Sequence, residues 1–180
     1  MTRRRVRIGA LVALCVVLGL VVFLSTRGVS QGATEVDSSL LGTKAPAVSA
    51  TTLTGSHVSL AAYRGRVVVL SFFASWCAPC NEEAPDLESF AWHEHTSHAA
   101  VAVLGVVFDD EDVAAASFAS RFGLTYPIIE DASGAIANDF AVTAPPVTVV
   151  LTPALRVASV LEGPVTTSQL ETLTAQAARA

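Results

Sequence analysis

The sequence predicts an α/β fold in which a central mixed sheet is flanked by helices. Three observations predict it. Residues 67–73 and 99–108 are apolar runs rather than polar–apolar alternations, which is the pattern of strands covered on both faces. Strand and helix patterns alternate through the middle of the chain, then give way to two successive strands and a last helix, so one sheet must hold parallel and antiparallel neighbours. Finally, two close cysteines stand where the first long strand passes into a helix-compatible stretch. At 180 residues the chain suits one domain of ordinary size with an N-terminal extension.

Residues 1–7 hold four arginines and no acid. Residues 8–24 carry no charge and would span about 25 Å as a helix at ~1.5 Å per residue. A transmembrane signal-anchor is therefore expected over residues 8–26. The arginines would keep residues 1–7 in the cytoplasm and send the rest of the chain outside. No A-x-A cleavage site follows Leu24, so the anchor is expected to stay. Residues 2–5 resemble a twin-arginine signal only loosely. Residues 12–15 resemble a lipoprotein box, but Leu14 stands where a small residue is needed, and Cys15 suits a small apolar residue facing lipid. Residues 27–41, rich in Ser, Gly, Thr and acids without periodicity, suggest a flexible linker. The domain is expected over residues 42–180.

Within the domain, residues 47–53 and 56–60 flank Thr54-Gly55 and predict an N-terminal hairpin. Residues 66–73 form the first buried strand. Residues 77–93 form a helix with Pro85 inside it. Residues 99–108 make a second buried strand. Residues 112–122 make a helix whose apolar face is expected to hold Val113, Ala116, Phe118 and Ala119, with Asp109 to Asp112 at its acidic start. A short strand at Ile128-Ile129 and a short helix over 135–140 follow. Strands over 148–151 and 157–161 are joined through Thr152-Pro153-Ala154. Ser168-x-x-Glu171 has the form of a capping box opening the C-terminal helix.

Charge narrows the function. From Gly28 onward there are six Lys and Arg against sixteen Asp and Glu, a net −10. An acidic domain without a basic stripe argues against nucleic acid as a partner.

The chemistry centres on Trp76-Cys77-Ala78-Pro79-Cys80. Residues three apart share a helix face, which brings two sulfurs to disulfide distance. The positive end of a helix favours thiolate at the first cysteine. Cys77 is then the candidate nucleophile and Cys80 the resolving thiol. A structural zinc would need further ligands, and the third cysteine, Cys15, lies in the apolar segment. An inert disulfide closing so short a loop would stabilise little. His93, Glu94, His95 and His98 invite a copper reading, but His93 and His95 point to different helix faces. No metal and no cofactor is expected.

This order of elements, with Trp-Cys-x-Pro-Cys ending the first long strand, resembles the thioredoxin fold. Five segments resemble its membrane-anchored TlpA/ResA/CcmG (DsbE)-type thiol-disulfide oxidoreductases: Leu41 to Pro46, Leu60 to Arg66, Cys80 to Pro85, Phe122 to Pro127 and Asp131 to Gly134. The last two match that group's central insertion. Val48 replaces the usual aromatic of the opening segment. The resemblance implies that Cys77 attacks a substrate disulfide, that Cys80 resolves the mixed disulfide, and that Trp76 packs against the motif and shields it. It implies a cis peptide at Pro146, whose backbone would pair with substrate; Pro145 before it is unusual. It implies that Glu83 exchanges a proton with the resolving thiol, whereas Glu82 faces solvent. Thioredoxins carry a buried Asp where this chain has Ser71, which leaves Glu83 as the better proton acceptor. The partners implied are protein disulfide or dithiol substrates, apocytochrome c among them, and a membrane electron donor such as a CcdA/DsbD-type protein. An oxidase forming disulfides in exported proteins is the alternative. A thiol peroxidase would need Thr and Pro where Ala74 and Leu70 stand.

Overall fold

A computed structural model describes residues 16–19, 32–97 and 100–180. The chain divides into two units, Met1–Gln31 and Gly32–Ala180. In the first, residues 16–19 are helical. The expected membrane-spanning segment, with Cys15, otherwise lies outside the described residues, as do residues 1–7 and His98. Among the described residues no helix is long and apolar enough to cross a membrane.

The second unit contains β1 (Thr34–Glu35), β2 (Ser49–Thr51), β3 (His57–Ser59), a 3-10 turn (Leu60–Tyr63), β4 (Val67–Phe73), α1 (Ala78–Thr96), β5 (Val101–Val107), α2 (Asp112–Phe122), β6 (Ile128–Ile129), α3 (Ala135–Asp139), β7 (Val147–Leu151), β8 (Val157–Glu162) and α4 (Thr167–Ala177). Six strands form one sheet in the order β1-β8-β7-β4-β5-β6, and β2 and β3 form a separate hairpin. β4 runs parallel to β5, and β5 to β6, while β7 and β8 are antiparallel additions. This is the expected mixed sheet with its N-terminal hairpin, and β6 with α3 forms the central insertion.

Every residue of β4 is buried, because both faces of the sheet are covered. Val68, Leu70 and Phe72 point with Leu104 and Val106 toward Val58 of the hairpin, Leu60 of the 3-10 turn and Phe140. Val67 and Val69 point the other way, with Val103 and Val150, onto Leu87 and Phe90 of α1 and Leu170 of α4. That split follows from the two-residue period of a strand.

Three expectations are corrected. Residues 32–41 are not free linker: Thr34–Glu35 pairs with β8, Ala33 is buried, and the Ala33 N–H donates to the Pro164 carbonyl at 2.7 Å. Backbone pairing at a sheet edge needs no apolar periodicity, so the composition hid it. α2 buries Phe118 as expected, but it buries Ala115 in place of Val113, which is 80% exposed, and Ala116, which is also exposed. The phenyl rings of Phe73, Phe118 and Phe122 stack in sequence at 5.0 and 4.7 Å and fix the helix's rotation. The capping box of α4 is Thr166 with Gln169, not Ser168 with Glu171. Val165, buried and held through its N–H by Glu83, brings the chain into the helix two residues earlier.

Candidate functional site

The site forms where β4 passes into α1. Cys77 is the N-cap of α1, and its sulfur accepts the Cys80 N–H at 3.1 Å. Pro79 sits in the first turn, where its missing N–H removes no helical bond. Cys77 and Cys80 form a disulfide with a Cα–Cα distance of 5.3 Å. Both cysteines are buried, packed with Phe73, Ala74, Ala84, Val107 and Phe118. Asn81 fastens the turn from behind: its amide donates to the Cys77 carbonyl at 2.7 Å and its oxygen accepts from Arg121 at 2.6 Å.

Glu83 lies one helical turn beyond Cys80 and is 2% exposed. Its Oε1 accepts from the Ser71 hydroxyl at 3.4 Å and its Oε2 from the Val165 N–H at 3.1 Å. Burial pushes its carboxyl up to about 8, against the opposing pull of the Val165 and Ser71 hydrogen bonds. That proton affinity lies near a thiol's. Burial, with Glu83 and Glu88 nearby, also pushes the Tyr126 phenol above its ordinary value. Glu82 is exposed, as expected.

The Pro145–Pro146 peptide is cis. Phe72 pairs with Val147, so Pro146 lies at the same end of the sheet as the cysteine motif. Pro146 is buried and Pro145 half-buried. Trp76 is not packed into the core: it is 58% exposed, with its indole N–H donating to the Asp109 carbonyl at 3.0 Å. His93 and His95 are exposed in the last turn of α1. Among the described residues no group of three or more His, Cys, Asp or Glu is placed to hold a metal ion.

The acidic run is more than a helix start. The Asp110 carboxylate accepts the Ser75 N–H at 2.6 Å and the Glu111 N–H at 2.9 Å, tying the loop after β5 to the loop that carries the cysteines. Asp109 takes a positive φ of 43° there. Together with Trp76, Phe108, Asn138 and Val142 these acids line a groove of about 690 Å³. The parallel pairing of Phe73 with Val107 explains the proximity, since the segments leaving both strands must emerge side by side. Two adjacent buried strands were legible in the sequence; which residues they paired was not.

A model of the AhpC/TSA family matches residues 41–160. The chain is similar to the thiol-disulfide oxidoreductase ResA of Geobacillus kaustophilus, with 30% identity over 138 residues, 77% of this chain and 78% of that protein. Among solved structures it is similar to a secreted Mycobacterium tuberculosis disulfide oxidoreductase homologous to E. coli DsbE, with 28% identity and a TM-score of 0.64 over 72% of this chain and 95% of that one. It is also similar to a DsbF homologue from Corynebacterium diphtheriae, with 27% identity and a TM-score of 0.68 over 83% and 95%. Sheet order, a cysteine pair closed at a helix N-terminus and these likenesses agree, and the chain belongs to the AhpC/TSA family as a thioredoxin-like thiol-disulfide oxidoreductase of the ResA/DsbE type.

Proposed function

We propose that this oxidoreductase works outside the cytoplasm, held by a membrane anchor over residues 8–26, and that it reduces disulfides of exported proteins such as apocytochrome c. The observation that carries the exchange chemistry is the Cys77–Cys80 pair closed at the N-terminus of α1, with the Glu83 carboxyl buried one turn beyond it. In the reducing direction the Cys77 thiolate, favoured at the N-terminus of α1, attacks a substrate disulfide and expels one substrate thiolate. Cys80 then gives its proton to Glu83 and attacks Cys77 Sγ, which closes the Cys77–Cys80 bond and releases the second substrate sulfur. Recharging the pair runs the proton transfer backward: Glu83 returns a proton to the leaving Cys80 sulfur.

Pro146, with Pro145 before it, fits a role in seating the substrate backbone. Trp76, exposed at the rim, fits a contact with incoming protein rather than a shield. Four arginines ahead of an uncharged stretch support the anchored topology. A dithiol outside the cytoplasm needs a supply of electrons, for which a membrane donor of the CcdA/DsbD type is the fitting source. A peroxidase reading lacks its hydroxyl, since Ala74 is buried and apolar where a Thr is required.

The reduction potential of Cys77–Cys80, measured on the purified full chain in thiol redox buffers, tests the direction. A value near or below about −220 mV supports a dedicated reductant, and a value above about −150 mV makes the protein an oxidase and removes the cytochrome-maturation reading.

A further inference from the structure

The strand register lines up one row across the sheet: Leu161 opposite Thr148, Thr148 opposite Ser71, Ser71 beside Gly105, and Gly105 beside Ile128. Residues paired directly across strands point to the same face. Ser71 meets Glu83 of α1 on that face. Thr148 and Ser71 therefore sit in register on the face that carries Glu83, in a layer that includes the apolar Val67, Val69, Val150 and Leu87.

Thr148 is fully buried, and its Oγ1 has no hydrogen-bond partner among the described residues. Buried polar groups are as a rule paired, with protein or with water. Space-filling does not explain the hydroxyl, because Val147, Val149 and Val150 of the same strand fill space without one. Cβ atoms across an antiparallel pair stand about 4.5–5.5 Å apart, a separation that one bridging water spans. Such a water needs two to four polar partners, and Thr148, Ser71 and Glu83 supply them.

We propose that Thr148 and Ser71 hold one water molecule against the Glu83 carboxyl, which makes Thr148 a positioning residue for the resolving step. This rests on the reading of Glu83 as the proton partner of Cys80. In that step the Cys80 proton passes to the Glu83 carboxylate and the Cys80 sulfur attacks Cys77 Sγ. The bond between Cys77 and the substrate sulfur breaks, and the substrate thiolate leaves with the electron pair and takes a proton from solvent. The dithiol is oxidised and the substrate disulfide reduced. The water donates to the carboxylate form and so opposes the effect of burial. The other groups facing Glu83 are the Val165 N–H, Cys80 on its own helix, and Tyr126, whose ring lies over Gly105 in the same row, where an added Cβ would meet Cε2 at 3.4 Å. Glu88, beyond Tyr126, is the next carboxylate.

Thr148→Val keeps the side-chain shape and removes the hydroxyl; Thr148→Ser keeps the hydroxyl. The full chain in detergent, reduced and then reacted with glutathione disulfide at concentrations where the rate no longer depends on it, so that attack by Cys77 is not limiting, reports closure of Cys77–Cys80 through release of glutathione across pH. The expected result is a midpoint about 0.5–1 pH unit higher in Thr148→Val, with restoration in Thr148→Ser. An unmoved midpoint in Thr148→Val overturns the water site, whatever happens to stability. If Thr148→Val does not fold, a high-resolution crystal structure of the unaltered chain decides: a water within hydrogen-bond distance of Thr148 Oγ1 and Ser71 Oγ supports the proposal, and none there overturns it. Glu83→Gln separates the two readings. Loss of the pH limb in Glu83→Gln with an unmoved Thr148→Val midpoint overturns the water site alone. A limb that persists in Glu83→Gln overturns the Glu83 reading and this proposal together.

Discussion

Glu83 is a carboxyl buried one helical turn beyond the cysteine pair, and its burial has a consequence for the whole chain. Its carboxyl rises from 4.5 to about 8 on folding, so between those values the folded state holds a proton that the unfolded chain has released. Stability is therefore expected to fall as pH rises through that window, by roughly 3–5 kcal/mol in all. Thermal unfolding midpoints of the oxidised protein between pH 5 and 8 should show the decline, and Glu83→Gln, neutral throughout, should flatten it. The same substitution should slow closure of Cys77–Cys80 about 100-fold near neutral pH, the scale of one positioned acid or base. Cys80→Ser leaves the nucleophile without a resolver, so the mixed disulfide on Cys77 should accumulate with substrate and resist release. Mass spectrometry after incubation with a disulfide-bonded protein would detect it; rapid turnover in this variant would remove Cys80 from the resolving role.

At the level of elements, α1 is positioned by what packs beneath it and beyond its ends. Gly105 on β5 is one such point. A Cβ there would stand 3.2 Å from Ile128 Cγ1, 3.2 Å from Phe73 Cε1 and 3.4 Å from Tyr126 Cε2. Phe73 precedes the cysteine loop and Tyr126 faces Glu83, so crowding at Gly105 bears on both. Gly105→Ala is expected to cost about 1–3 kcal/mol by overpacking, read as a lower urea midpoint at unchanged slope. α4 contributes from its N-terminus, where the Val165 N–H reaches Glu83 and the Thr167 hydroxyl donates to Asp86 at 2.7 Å. The capping box read from the sequence, Ser168 with Glu171, and the one that forms, Thr166 with Gln169, begin two residues apart. Local propensity did not separate them; the burial of Val165 and its bond to α1 did. α2 shows the same limit, since the spacing of Ala115, Phe118 and Phe122 competes with an equally apolar set starting at Val113.

For the molecule as a whole, the domain begins earlier than its motifs suggest. β1 closes the β8 edge of the sheet through Thr34 opposite Glu162 and Glu35 opposite Leu161. The Gln169 side-chain amide donates to the Ala33 carbonyl at 2.8 Å, which links this strand to the start of α4. A chain starting at Gly42 is expected to unfold at lower urea than one starting at Gly32, because it exposes the β8 edge and unburies Ala33. Equal midpoints would return residues 32–41 to the role of a passive linker.

The sequence by itself determined the α/β class, the order of the elements from the hairpin onward and the cysteine pair, because each is written in short-range signals: apolar runs, turn residues and a fixed spacing. It also marked Glu83, through its place after Cys80 and through Ser71 where thioredoxins carry an acid. Only the tertiary structure decided that Glu83 is sealed from water, that Trp76 is exposed, that Asp110 clasps the cysteine loop, and that Thr148 pairs in register with Ser71. Those outcomes depend on strand register and helix rotation. Both are settled by long-range packing, where a one-residue slip would send every side chain of a strand to the opposite face.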